Sequence, residues 1–323
     1  MSKTVIKSLL KKIINFYSSL GYPLLPVTKF IREPMRWYYH RSPLLKHDSR
    51  FSWKPRLLSL LHSLFVVDHP HDFNVYHNQI KFRSFGSLMS VQGYYVGEIE
   101  YHLVQYLVKQ ICPTFVMVDV GAHHGLYTLI VAHELKSRGW EGIIHSFEPD
   151  YRNFNLLKYN VHQNKLEKYV VLHQEAVTNV ESEQKLLTFM HENSANTLES
   201  SSYISNHYIN NQNDNDKAST QSVKTIKLDS LLYELPKVNL IKIDIQGSEY
   251  LALIGAEKII IRDRPIILVE AVSEWETTIK IREFLVAQNY SIYGVDANGM
   301  LCEQDSTAVF VSWDWIGLPI RAF

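Results

Sequence analysis

The 323-residue chain has only two cysteines, Cys112 and Cys302, far apart in sequence. That excludes a disulfide framework and a cysteine-based metal site, and it points to a reducing compartment, the cytoplasm. Glycine and proline are sparse as well, 13 and 11 without a repeating period, which excludes collagen-like and low-complexity architectures. No G-x-G-x-x-G dinucleotide fingerprint occurs, and the 15 histidines form no H-x-x-x-H or H-E-x-x-H pattern, so no metal is expected. What is present is ordinary for a globular protein: 46% apolar and 20% charged residues, enough to exclude wholesale disorder.

Net charge is zero but unevenly spread. Residues 1–60 hold 12 Lys/Arg against Glu33 and Asp48, a local +10 that the rest of the chain balances. Val5, Ile6, Leu9, Leu10, Ile13, Ile14 and Tyr17 recur at helical spacing, with Lys3, Lys7, Lys11 and Lys12 opposite. This amphipathic helix is too short and too charged to span a bilayer, which needs ~20 mostly apolar residues. Two readings stay open for residues 1–20: peripheral contact with a membrane, or packing on the main domain. Arg36-Trp37-Tyr38-Tyr39-His40-Arg41 interleaves aromatics with arginine, but no nucleic-acid motif accompanies it, and no nucleic-acid partner is expected. No heptad or repeat bears on oligomeric state.

From residue 115 strands alternate with helices. Phe115–Val120, Gly142–Phe147, Tyr169–His173, Val238–Ile245, Pro265–Glu270, Ser291–Val295 and Ala308–Val311 read as strands. Leu126–Leu135, Tyr151–Val161 and Thr277–Gln288 read as helices. Such alternation predicts an α/β fold with a largely parallel sheet and a ligand at the strands' carboxyl ends. The domain boundary is placed after residue 85: a basic, helical and irregular extension over 1–85, then an α/β domain over 86–323. Within it, residues 191–222 carry seven Asn and seven Ser without periodicity, either a disordered insertion or a functional loop.

Asp119-Val120-Gly121-Ala122-His123-His124-Gly125 lies where the first of these strands turns into a helix. Glycine there is expected to let backbone N–H groups approach a ligand beside the positive end of a helix. Asp119 is placed to accept a hydrogen bond from an ammonium group. Glu148 ends the next strand, where an acid hydrogen-bonds ribose hydroxyls in nucleoside-binding α/β folds. An amino-acid end and a ribose together describe S-adenosylmethionine.

Val118–Gly125, Phe147-Glu148-Pro149, Leu228-Asp229-Ser230-Leu231 and Ile241-Lys242-Ile243-Asp244-Ile245-Gln246-Gly247-Ser248-Glu249 resemble the motif set of the FkbM-type methyltransferases. The resemblance runs from about residue 93 to about residue 272. It implies a Rossmann-like, seven-stranded mixed sheet of the class I methyltransferase type, with the last strand antiparallel. It also implies an S-adenosylmethionine-dependent O-methyltransferase acting on a hydroxyl of a carbohydrate or glycoconjugate. The family often has Asn at the position of His123 and Glu at that of Gln246. By position, Asp119, Gly121, Ala122 and Gly125 would hold the methionine end, Glu148 the ribose, and Glu175 the neighbourhood of the adenine.

Asp244, at a strand tip, is the first candidate to take a proton from the acceptor hydroxyl, with His123 and His124 as alternatives. The structural readings are that Asp244 orients the cofactor or caps the helix at Ser248 and Glu249, and that Lys242 forms an ion pair. Glu270, closing its strand at the same sheet edge, is either an acceptor contact or an ordinary strand end. A rival reading is a methyltransferase-like fold that binds cofactor or partner without turnover.

Overall fold

A computed structural model describes residues 67–77, 79–86, 101–189, 196–199, 219–271, 276–295, 300–303 and 314–320. The amphipathic segment 1–20, the Arg36–Arg41 stretch and the expected strand 308–311 lie outside the described residues. A hairpin, β1 (Val67–Val75) and β2 (Ile80–Gly86), leads into helix α1 (Tyr101–Gln110). Then follow β3 (Phe115–Val120), α2 (Leu126–Ser137), β4 (Gly142–Phe147), α3 (Tyr151–Gln163) and β5 (Val170–His173). A smaller four-stranded unit comprises β6 (Ala176–Val177), β7 (Ser182–Thr188), β8 (Thr197–Leu198) and β9 (Ser219–Ile226). The chain closes with β10 (Leu240–Ile243), α4 (Glu249–Ile254), α5 (Glu257–Asp263), β11 (Ile266–Glu270), α6 (Glu276–Ala287), β12 (Tyr290–Val295), β13 (Leu301–Glu303) and β14 (Asp314–Pro319).

Among the described residues the main sheet has eight strands in the order β13-β12-β14-β11-β10-β3-β4-β5, against seven expected. Strands β5, β4, β3, β10 and β11 run parallel, and β14 inserts antiparallel between β11 and β12. The extra strand is β13, paired antiparallel to the edge of β12. An antiparallel closing strand is present at Asp314–Pro319; the expected strand at 308–311 lies outside the described residues.

Period-two alternation splits the core across the two faces of the sheet. Phe115 and Met117 of β3 point toward α2 and α3, whereas Val116, Val118 and Val120 pack against α4, α5 and α6. All six residues of β3 are buried, as a central parallel strand covered on both faces requires. Asp229, from the Leu228–Leu231 motif, accepts the Lys258 and Ile259 N–H groups at the start of α5 (both 3.1 Å), so that motif caps a helix.

The expected boundary at residue 85 falls inside β2, whose Ile80 and Phe82 belong to the domain core. Asn160 on α3 and Asn164, the C-cap residue of that helix, receive that strand's free edge. Asn160 accepts the Arg83 N–H (2.8 Å) and donates to the Arg83 carbonyl (2.9 Å); Asn164 does the same for Lys81 (2.9 and 2.7 Å). The match is geometric: four residues of helix rise about 6 Å and two residues of strand about 6.8 Å. Side-chain amides thus stand in for a neighbouring strand. Among the described residues no helix is long and apolar enough to cross a membrane.

Replacing buried Asn160 by Ala strands the Arg83 backbone groups and the His124 carbonyl it also serves. The expected result is a loss of about 2–4 kcal/mol and faster hydrogen exchange at the Lys81 and Arg83 amides. Unchanged protection of those two amides would refute the clasp.

Candidate functional site

The order of the sheet reverses at β3, which is flanked by β10 on one side and β4 on the other. Crevices for ligands open at the carboxyl ends of strands at such a switch point. The Asp119–Gly125 turn, the Glu148–Asp150 turn and the Asp244–Glu249 turn meet here.

Gly121 and Gly125 take left-handed φ values of +78° and +96°. A Cβ on Gly121 would collide with the carbonyl oxygen of Asp244, and one on Gly125 would stand 2.5 Å from Leu157 Cδ1. Glycine is needed here for close approach between elements of the chain itself. This corrects the expectation of free donors: the Gly121 and Ala122 N–H groups both donate to the Phe147 carbonyl (3.0 Å), and that of Gly125 to Ala122 (2.8 Å). The His123 N–H donates to Glu148 Oε2 (2.9 Å).

Asp119 is fully buried, its Oδ2 accepting from Thr128 Oγ1 (2.6 Å). Its Oδ1 has no hydrogen bond among the described residues and lies 3.9 Å from Lys242 Nζ. Burial raises its carboxyl above the ordinary value, opposed by the Lys242 charge. Lys242, its register partner on β10, is also buried; its Nζ donates to Asp244 Oδ2 (3.1 Å) and to the Gly121 carbonyl (3.2 Å). The ion pair expected for Lys242 thus joins both strand tips.

Asp244 does not cap α4, whose N-cap residue Ser248 makes no side-chain cap bond; Glu249 Oε1 instead braces the turn before the helix, accepting the Ile245 and Gly247 N–H groups (3.0 Å each). Instead Gln246 Nε2 donates to both Asp244 Oδ1 (3.2 Å) and Glu270 Oε2 (2.9 Å), bridging carboxylates at the tips of neighbouring strands. Burial pushes the Asp244 carboxyl up, but Lys242, with hydrogen bonds to Lys242, Gln246 and Glu270, outweighs it and holds the group below its ordinary value. Its side chain keeps 28% exposure, whereas that of Asp119 keeps 1%.

Glu148 is buried beside Asp150, whose N–H donates to Glu148 Oε1 (3.0 Å). Burial first, then the Asp150 charge, push its carboxyl up to about 8 against the His123 and Asp150 N–H groups and Asn153. Behind it runs a relay. Asn153 Oδ1 can only accept, so His124 carries its proton on Nε2 (3.1 Å) and Nδ1 accepts from Ser84 Oγ (2.8 Å). Burial, with the charge of His123, lowers the His124 pKa well below the ordinary value. His124 is therefore a neutral core residue linking β2 to Glu148, and the structure corrects its candidacy as a base. His123 stacks on it, ring centroids 3.7 Å apart, with φ +52°. Glu175 follows β5, 3.7 Å from His173 Nδ1, and the His173 ring stacks on Phe147 at 4.2 Å.

Sequence reasoning missed Thr128, Asn153 and the bridging role of Gln246. Thr128 and Asn153 are each the third residue of their helix, within its first turn, and carry no motif signal. The Asp119 Oδ1 acceptor and the Glu148 carboxylate at the switch point fit the ammonium and ribose of S-adenosylmethionine.

Burial pushes the Glu249 carboxyl up to about 7 from an ordinary 4.5, and the Asp244 charge adds to the rise. The folded state therefore binds that proton more tightly than the unfolded one; the contribution is full below about pH 4.5 and is lost as pH rises through about 7. The melting temperature of wild type relative to that of Glu249→Gln should fall as pH rises across that window and stay level above it. A rise of wild type relative to the variant across the window would overturn the assignment.

The Methyltransferase FkbM domain family matches residues 119–292, more than half of the chain. A comparison with curated proteins finds no match. Among solved structures, the chain is similar to a methyltransferase FkbM from Methylobacillus flagellatus KT, with 14% identity and a TM-score of 0.40 over 63% of this chain and 43% of that one. It thus spans less than half the length of that protein. It is also similar to an O-methyltransferase from Bacillus cereus in complex with SAH (15% identity, TM-score 0.37, 69% and 81% covered). A third is a SAM dependent methyltransferase from Agrobacterium tumefaciens (8% identity, TM-score 0.42, 77% and 69% covered). The chain belongs to the FkbM methyltransferase family, whose methyl donor is S-adenosylmethionine.

Proposed function

We propose that the chain O-methylates a hydroxyl of a carbohydrate or glycoconjugate. The observation that carries this reading is the Asp244–Gln246–Glu270 bridge, two carboxylates and an amide at adjacent strand tips. The bridge uses both Gln246 amide hydrogens, so what it can offer a sugar hydroxyl is acceptors, the carboxylate lone pairs and Gln246 Oε1. When bound, the cofactor supplies a methyl group already activated on a sulfonium.

Asp119, Gly121, Ala122 and Gly125 shape the methionine end, with Asp119 Oδ1 as acceptor for the ammonium. Glu148 takes the ribose hydroxyls on the lone pairs that the His123 and Asp150 N–H groups leave. Glu175 lies toward the adenine, beside the Phe147–His173 stack. Asp244 holds the acceptor hydroxyl. Because Lys242 keeps it ionised, it orients the hydroxyl first and takes the proton as the attacking oxygen gains its new bond. Positioning supplies much of the remaining rate.

Calorimetric titration should show saturable binding of S-adenosylmethionine and S-adenosylhomocysteine and none of NAD. Glu148→Ala should weaken S-adenosylhomocysteine binding by about 10–100-fold with the fold retained, the value of about two hydrogen bonds. Unchanged binding would sink the ribose contact. Against a panel of methyl glycosides, Asp244→Asn should keep cofactor affinity and lose about 10²–10⁴ in kcat. Cofactor binding by wild type without turnover on any glycoside would favour the non-catalytic reading.

A further inference from the structure

The sites on the two sides of the crevice belong to separate turns, one after β4 and one after β10, and each needs a support outside itself. Both supports come from consecutive residues at the start of β8, inside the Asn/Ser-rich tract. Adjacent side chains of an extended segment point opposite ways, and these two reach different turns. Asn196 Nδ2 donates to Asp150 Oδ2 (2.8 Å), and its Oδ1 accepts the Phe189 N–H (2.9 Å). Thr197 Oγ1 donates to the backbone carbonyl of Gln246 (2.7 Å).

We infer that Asn196 and Thr197 are positioning residues for the methyl-transfer site, Asn196 for the cofactor's ribose acid and Thr197 for the carboxylates at the transfer end. The inference rests on the cofactor placement proposed above. Asp150 is buried, and its own N–H holds Glu148 Oε1, so whatever seats Asp150 seats Glu148. Arg152 pairs with the same Asp150 oxygen at 2.8 Å and also reaches the Phe189 carbonyl (3.2 Å). Asn196 therefore closes a ring in which Asp150, Arg152 and Phe189 all meet. Gln221 of β9 adds a weaker tie, donating to the Pro149 carbonyl (3.3 Å).

At the other end Gln246 sits at φ +56°, a left-handed conformation that costs a non-glycine residue about 1 kcal/mol or more. Such a turn does not hold its own shape; it persists because its surroundings over-determine it. Glu249 grips the N–H groups of Ile245 and Gly247, and Thr197 grips the carbonyl between them. The Gln246 side chain then sets where Asp244 and Glu270 stand. Thr197 is itself buried, so its hydroxyl is shielded from competing water.

S-adenosylmethionine and S-adenosylhomocysteine differ only in the methyl group and the charge it brings, so the ratio of their affinities reads the transfer end alone. Calorimetry on wild type, Asn196→Ala, Thr197→Val and Thr197→Ser, with melting curves to confirm folding, separates the two roles. Asn196→Ala should weaken both ligands equally, by about tenfold, the worth of one hydrogen bond to a charged group. Thr197→Val should leave S-adenosylhomocysteine within about twofold and weaken S-adenosylmethionine by about fivefold to tenfold, and Thr197→Ser should restore the wild-type ratio. If Asn196→Ala fails to fold, Asn196→Ser gives the same reading. Wild-type affinities for both ligands in the Asn196 variant, or an unchanged ratio in Thr197→Val, would overturn the corresponding role while the cofactor reading stands. Failure of wild type to bind either ligand would overturn the cofactor reading and this inference with it.

Discussion

One buried ammonium group fixes the geometry of the crevice. Lys242 lies on β10 in register with Asp119 on β3, and its charge must be met locally because burial removes water from it. Asp244 Oδ2 and the Gly121 carbonyl meet it directly, Asp119 lies 3.9 Å away, and the Tyr127 ring is 5.2 Å from it. The glycine turn and the Gln246 turn are thereby drawn together until the Asp244 carbonyl leaves Gly121 no room for a Cβ. A single cation thus sets the distance between the methionine end and the transfer end of the proposed cofactor site.

The same ion sorts the acids. Among the described residues no cation lies at hydrogen-bond distance from the buried Glu148 or Glu249, and their carboxyls rise to about 8 and about 7. Asp244 is held below its ordinary value because Lys242 donates to it. Neighbouring titratable groups pushed in opposite directions are how one fold assigns different tasks to chemically equal side chains. On the proposed reading the raised acids shape and hold turns, and the lowered, part-exposed one faces the acceptor.

Much of the fold was legible because a parallel sheet writes itself as short apolar runs separated by helical periodicity. β3, β4, β10 and β11 fall where those runs lie, and the switch point follows from their order. The hairpin was not legible: β1 reads Val-Asp-His-Pro-His-Asp-Phe-Asn-Val, with no clean alternation, and its partner on the domain is a pair of asparagines rather than a strand. The closing strand Asp314–Pro319 was not legible either, since Asp, Gly and Pro interrupt the run that carries the buried Trp315 and Ile316. At the site, motif residues were visible and their supports were not. His123 and His124 look equivalent in sequence, yet the left-handed turn at His123 sends His124 into the core. Lys242 could be assigned to a face by alternation, but its two partners depend on the register with β3.

The supports that sequence hides are also what make the site a property of the whole chain. The relay from Ser84 through His124 and Asn153 reaches Glu148 from the hairpin side, and Asn196 reaches the same turn from the smaller sheet. The Ser84–His124 and His124–Asn153 links are neutral hydrogen bonds worth about 1 kcal/mol net each, and the Asn196–Asp150 link, made to a carboxylate, about 1.5–3 kcal/mol, so none dominates stability. Their value is in geometry: Glu148 and Asp150 are carboxylates buried side by side, and repulsion would part them unless donors fix each oxygen. The hairpin and the Asn/Ser-rich tract, both outside the recognisable motifs, therefore supply the donors that let two acids share one turn.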